Sequence, residues 1–454
     1  MSLLAEPMAR LDRAVPVALR GTVLEARGLA VHVVGLPVPV GATITIETAS
    51  GARLAGEVVG FDADRTIVMP IGATAGGRRG DGVVAEQFAQ RVGVGASMLG
   101  RVLNGAGQPI DQRGPIRDTV HRPLTPDPID PLDRPLIDEP LATGIRAIDA
   151  MASVGRGQRL GVFAEPGVGK SVLLGMMARG TAADVNVIAL VGERGREVNA
   201  FIERELTREG LARSVVVCAA GDEPAILRLR AALLATTIAE WFRDQGQDVL
   251  LIMDSVTRFC HAQRQIGLAA GEPPATRGYP PSTFAVLSRL LERSGRTRRG
   301  SITGFYAVLT EGDPEDAGDD PVTDAVRGIL DGHILLGRRL AQQGRWPAID
   351  VINSISRVSD DVIDADHRAA ARFIRQIISA HREVEELVNI QAYVKGANPA
   401  ADTGIDGAEA IGTLLLQGRN ESDVSNFTKT RDLTVALARQ LAEHMEQLRR
   451  QASE

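Results

Sequence analysis

Eight consecutive residues, Ala164-Glu165-Pro166-Gly167-Val168-Gly169-Lys170-Ser171, have the types and spacing that phosphate chemistry requires. Gly167 and Gly169 let backbone N–H groups close around phosphate oxygens, and the helix expected after them adds its positive end. Lys170 reaches for the β and γ phosphates, and Ser171 offers a hydroxyl to Mg²⁺. Glu165 through Val172 is therefore the expected nucleotide-binding loop. The strict pattern opens on glycine, whereas here Ala164 stands first and Glu165 sets a carboxylate beside an anion site. Downstream, Val249-Leu250-Leu251-Ile252-Met253-Asp254 is an apolar run that ends in an acid, which suits Asp254 to holding Mg²⁺ through water. Between the two lies Gly192-Glu193-Arg194-Gly195-Arg196-Glu197. A glutamate at a strand end facing the same crevice could polarise an attacking water, which suits Glu193 to general base work. The plainer alternative is that Glu193 and Glu197 pair with Arg194 and Arg196 on a solvated turn. Together the three stretches imply Mg²⁺-dependent hydrolysis of ATP.

Such side chains converge only if strands carry them to one edge. Apolar, β-branched runs at 159–164, 185–192, 214–219, 248–254, 301–309 and 333–336 alternate with helical patterns such as 224–243. That alternation implies a parallel sheet covered by helices on both faces. From Val17 to about Gly93 short runs (19–27, 31–34, 42–46 and 57–61) are punctuated by glycine and suggest a small β-barrel or sandwich. The stretch 123–140 holds six prolines and is expected to be an extended linker. Beyond about Ser359 the strand signal ends, and Phe373, Ile374, Ile377, Ile378, Val384, Leu387 and Val388 recur at helical spacing. The expected organisation is a short segment 1–16, a barrel 17–95, an α/β nucleotide-binding domain 96–358 that includes the linker, and a helical domain 359–454.

Composition removes several function classes. With 454 residues, 44% of them hydrophobic, two or three cores can form. A net charge of −6 gives no field for nonspecific nucleic acid binding, and 3% aromatics leave few platforms for stacking bases, so no nucleic acid partner is expected. Cys218 and Cys260 show neither disulfide nor metal-site spacing. Residues 1–20 lack the apolar core of a signal peptide and no run of about 18 apolar residues occurs, so a cytoplasmic location is expected.

With these motifs in view, the sequence resembles the flagellar and type III secretion export ATPases, relatives of the rotary ATP synthase catalytic subunit. The resemblance runs over about residues 17–400. Its specific stretches are 154–161, 170–179, 192–198, 250–259, Gly271-Glu272-Pro273-Pro274, Gly278-Tyr279-Pro280-Pro281, Asp331-Gly332-His333 and Pro347-Ala348-Ile349-Asp350. Leu174-Gly175-Met176-Met177-Ala178-Arg179 is closer to the flagellar branch. The resemblance implies a RecA-like P-loop core and a homohexamer with ATP and Mg²⁺ at subunit interfaces. It implies Glu193 as the water-activating carboxylate, Arg194 and Arg258 as supports of the phosphate pocket, and Arg357 as the finger inserted into a neighbour's site. A structural surface arginine is the alternative for Arg357.

Trp346 stands where tyrosine is usual and offers a stacking face to adenine; a plain core aromatic is its alternative. Leucines at 414 and 415 replace a usual aromatic. The Gly278–Pro281 stretch resembles a loop facing the ring's channel, although turn chemistry explains it equally. Implied partners are a stator-like regulatory protein, a stalk protein, a membrane export gate, and export chaperones with their substrates, at the inner face of the cell membrane. Leu3, Leu4, Met8 and Leu11 form only a stub of the family's regulator-binding segment. The implied function is protein export driven by ATP hydrolysis in a flagellar type III system. The alternatives are a subunit of a rotary ATP synthase or proton pump, and a hexameric RNA translocase.

Overall fold

The computed structural model describes residues 19–72, 76–310, 320–421 and 426–451. The stub at Leu3, Leu4, Met8 and Leu11 lies outside the described residues.

Six antiparallel strands close into a barrel in the order Arg20–Arg27, Ala30–Val34, Arg65–Pro70, Arg53–Asp62, Thr43–Glu47 and Gly82–Gln87, the last pairing back with the first. Closure leaves no free edge. Val33, Ile44, Ile46, Val58, Val68 and Val83 fill its interior. Two strands go beyond the sequence expectation. Arg65–Pro70 is buried over five consecutive positions and so shows no period of two, and Gly82–Gln87 follows a glycine-rich approach that hides its start.

A second, nine-stranded sheet carries the site. Its order is Ile355–Ser356, Gly332–Leu336, Arg159–Ala164, Ser301–Leu309, Asp248–Asp254, Val185–Val191, Ser214–Ala219 and Val102–Asn104, with Gly295–Arg296 pairing on Ser301–Leu309. The inner strands are parallel. Successive side chains point to opposite faces, so each strand feeds two cores. Val187, Ala189 and Val191 join one, together with Val249, Leu251 and Met253 and the helices Ala225–Asp244 and Val256–Ala269. Ile188, Leu190, Leu250 and Ile252 join the other, under the helix Lys170–Gly180. That second core also takes Ile374, Ile377, Leu414, Leu437 and Leu441 from the C-terminal helices, beside Leu173 and Leu174. The helical end of the chain therefore packs on the same side of the sheet as the phosphate-loop helix.

The proline-rich stretch is not wholly extended. It holds the end of the strand Val120–Pro123, a single turn at Pro131–Asp133 capped by the Asp130 side chain, and the short strand Pro140–Leu141. Pro123 and Pro140 sit at strand termini, where a missing donor is tolerated.

Behind the loop helix lies a buried acid. Asp149 Oδ1 accepts from the Thr143 backbone N–H at 2.9 Å and from its hydroxyl at 2.7 Å, while Oδ2 is buried without a partner. Complete burial pushes its carboxyl up to about 7 against the pull of the Thr143 hydrogen bonds. The native state therefore holds this proton where the unfolded chain, near the ordinary carboxylate value, has lost it. The stabilising contribution of that proton is full at low pH and is lost as pH rises from about 4 to about 7, by on the order of 2–4 kcal/mol. Asp149→Asn should flatten this dependence. In urea unfolding, the gap between midpoints at about pH 5 and about pH 8 should shrink in the variant, and an unchanged gap would exclude Asp149 as its source.

Candidate active site

The strand Arg159–Ala164 ends at the loop, and the helix Lys170–Gly180 begins within it. Gly169, the cap of that helix, has φ 87°, and a Cβ built on it would lie 2.7 Å from Trp346 Cζ3. Glycine is required there twice over, by the left-handed turn and by the indole ring against its backbone. Val168 is buried, whereas Pro166, Gly167 and Ser171 are exposed, and Val172 at the helix start is partly buried.

Neighbouring strands bring three of the sequence-derived residues to this helix. Asp254 ends its strand in register with Leu190, and Glu193 follows the adjacent strand after Gly192. Lys170 Nζ contacts Asp254 Oδ1 directly and lies 3.7 Å from Glu193 Oε1. Arg258 completes the group, with its Nε 3.5 Å from Glu193 Oε1. It is held in the first turn of the helix Val256–Ala269, where Ser255 Oγ accepts from its backbone N–H. Gly192, at φ 73°, lets Arg258 cross, since a Cβ there would meet Arg258 Cδ at 2.7 Å.

The cluster balances two carboxylates against two cations in a nearly closed space, with side-chain exposure of 3% at Asp254, 11% at Lys170 and 12% at Glu193. Burial, and then the Asp254 charge, push the Glu193 carboxyl up to about 6, opposed by Lys170 and Arg258. A carboxylate held near neutrality beside a lysine is poised to take a proton from water.

Other expected residues lie elsewhere. Arg194 caps the helix Gly195–Ala200 through its backbone, accepting from the Glu197 and Val198 N–H groups. Its side chain is 77% exposed and pairs with Glu197 at 3.5 Å, so the structure does not bring it to the cluster. The turn is thus split, with Arg194 and Glu197 paired at the surface and Glu193 turned inward. Trp346 is 43% exposed, one edge of its ring on the loop and its backbone C=O accepting from Gln417. Leu414 is buried close by in sequence.

Arg357 stands at the opposite edge of the sheet. Its backbone N–H donates to the Asp331 C=O, and Asp331 in turn binds Arg159 Nε at 3.0 Å and Nη2 at 3.1 Å. Arg159 begins the strand whose far end is the loop, so Arg357 is on the order of 17 Å from its own phosphate site by strand rise alone.

Three contributors had no site role assigned from sequence: Asp331 as the clamp beneath Arg357, Gln417 beneath Trp346, and Arg338, whose Nη1 lies 3.1 Å from Glu165 Oε2. Arg338 follows a strand that runs parallel to the loop strand with Leu336 beside Ala164. Strand adjacency was the signal that could have found it.

Mg²⁺ fits the donor set. Asp254 supplies a carboxylate and Ser171 an exposed hydroxyl at the loop, both hard oxygen donors. Among the described residues no group of three or more His, Cys, Asp or Glu side chains forms a metal cage. That suits an ion completing its shell with water and substrate phosphates.

Comparison with known proteins agrees with this geometry. Residues 144–356 match the ATP synthase alpha/beta family nucleotide-binding domain, and residues 363–433 match the T3SS EscN ATPase C-terminal domain. The chain is 47% identical over 418 residues to the type 3 secretion system ATPase of Xanthomonas euvesicatoria, covering 92% of this chain and 93% of that one. It is 48% identical over 410 residues to the flagellum-specific ATP synthase of Pseudomonas aeruginosa, covering 89% and 90%. The assembled ATPase EscN of the enteropathogenic E. coli type III secretion system superposes with a TM-score of 0.85 at 40% identity, over 92% of this chain and all of that one. The same ATPase in complex with its central stalk EscO gives 0.83 at 40% identity over the same shares.

Proposed function

The chain belongs to the flagellar and type III secretion ATPases of the ATP synthase alpha/beta family, and from that premise we propose that it hydrolyses ATP in a ring of six identical copies, driving protein export in a flagellar type III secretion system. The observation that carries this reading is the pairing, within one chain, of the Lys170, Glu193, Asp254 and Arg258 cluster with Arg357 at the far edge of the same sheet. Neither half makes a complete site in one copy. Head-to-tail contact around a closed ring would set each Arg357 against the next copy's loop.

In this mechanism the loop N–H groups and Lys170 hold the β and γ phosphates. Lys170 must then exchange its carboxylate contacts for phosphate oxygens, which frees Glu193 to orient water. Mg²⁺, held by Ser171 and through water by Asp254, would neutralise phosphate charge. Glu193 takes the proton of the attacking water as its oxygen bonds to the γ phosphorus and the bond to the β-γ bridging oxygen breaks, giving ADP and phosphate. Arg258 steadies Glu193, and Arg357 from the next copy stabilises charge on the transferred group. Trp346 offers the exposed part of its ring to adenine.

The related ATPase whose structure was solved in complex with its central stalk supports a stalk protein as a partner here. Membrane attachment would come through the export gate and a stator-like regulator, since among the described residues no helix is long and apolar enough to cross a membrane. The branch assignment rests on the Leu174–Arg179 stretch.

Lys170→Ala tests the site itself. It should raise the Kd for ATP by at least about 100-fold and remove turnover. ATP binding of wild-type strength in that variant, measured by calorimetry, would exclude the loop as the phosphate site.

A further inference from the structure

Glu165 is the loop residue whose charge works against phosphate, and the fold has given it a partner. Its carboxylate, 13% exposed, faces Arg338 Nη1 at 3.1 Å. Arg338 opens the short helix Arg338–Gln342, and the same stretch of chain leads on to Trp346, whose ring lies against Gly169. Residues 338–346 therefore grip the loop twice, by the ion pair at its beginning and by the ring at its end. Arg338 itself is 64% exposed, so the pair adds little to folding stability. Its consequence is electrostatic: without Arg338, an uncompensated carboxylate would stand at the mouth of an anion site.

We propose that Arg338 is a positioning residue of the nucleotide site, cancelling the Glu165 charge beside the phosphates and holding the Trp346 segment on the loop. The proposal rests on the reading of this loop as the ATP site. Because repulsion grows with the ligand's charge, losing Arg338 should penalise a triphosphate more than a diphosphate. The pair thus favours exchange of ADP for ATP.

The test is calorimetric binding of the non-hydrolysable triphosphate AMP-PNP and of ADP, each with Mg²⁺, to the full chain. Arg338→Ala should weaken AMP-PNP binding about 5- to 20-fold and ADP binding by less. The loss should shrink between about 50 mM and about 500 mM salt, because the Debye length shortens and the repulsion is screened. Arg338→Lys, which keeps the charge, should recover most of it. The double variant Glu165→Gln with Arg338→Ala should bind within about twofold of Glu165→Gln alone, because the carboxylate that Arg338 neutralises is gone. Arg338→Ala binding of wild-type strength at low salt, or a double variant as weak as Arg338→Ala, would overturn the proposal. Wild-type protein that binds AMP-PNP no better than Lys170→Ala would overturn the ATP-site reading as well, so the two failures are distinct.

Discussion

The Glu193→Gln chain should bind ATP and fail to hydrolyse it, with kcat lower by about 10²- to 10⁴-fold and Kd for ATP unchanged or tighter. The amide keeps the shape of the side chain but cannot take a proton from water. It also removes a negative charge that competes with phosphate for Lys170 and Arg258. A residue serving only to support the loop would instead weaken binding and turnover together. The pH profile supplies a second readout. Burial and Asp254 raise the Glu193 carboxyl to about 6, and the working form is the carboxylate. Activity is therefore present above that value and is lost as pH falls through it. For the wild type, kcat/KM should drop about tenfold per unit below about pH 6. A wild-type rate that stays level down to about pH 5 would separate Glu193 from the base role.

The second large effect is expected at Arg357. Arg357→Ala should reduce kcat by about 10³- to 10⁵-fold with nucleotide affinity within a few-fold of wild type. Arg357→Lys should restore little, because an ammonium lacks the planar fork that grips phosphoryl oxygens from two directions. The Arg357 backbone is held to Asp331, which clamps the start of the strand that ends at the loop. A side chain there cannot serve its own loop without dismantling the sheet edge. Turnover near the wild-type rate in Arg357→Ala, with assembled rings, would reduce Arg357 to a surface arginine.

How much of this was legible in the residues follows from burial. The strands Arg159–Ala164, Ser214–Ala219, Asp248–Asp254 and Ser301–Leu309 coincide with their apolar runs because strands of a parallel sheet covered on both faces need apolar side chains at nearly every position. At Asp254 the run ends on a charged residue that stays buried in the site, not in the apolar core. The three-residue strand Val102–Asn104 escaped notice because it is shorter than any periodic signal and joins the sheet only by pairing beside Ser214–Ala219.

At the site, residue type and position after a strand were enough to single out Lys170, Glu193 and Asp254. The direction of a side chain on a turn was not legible, which is why Arg194 and Glu193, adjacent in sequence, were expected at the same pocket. Backbone capping turns one outward and a buried lysine draws the other in. The partner of Glu165 was hidden for a third reason. Arg338 is 173 residues away, and only the adjacency of two parallel strands brings them together.

The central claim is that each site is shared between two copies, and mixing two inactive variants tests it most directly. Glu193→Gln keeps Arg357, and Arg357→Ala keeps Glu193, so a ring containing both has some interfaces at which every required group is intact. With equal amounts and random assembly, about a quarter of interfaces are complete, and ATP turnover should rise well above that of either variant alone, toward that fraction of wild type. Mixed rings, verified by tagging each variant differently, that remain as inactive as their parents would contradict the account.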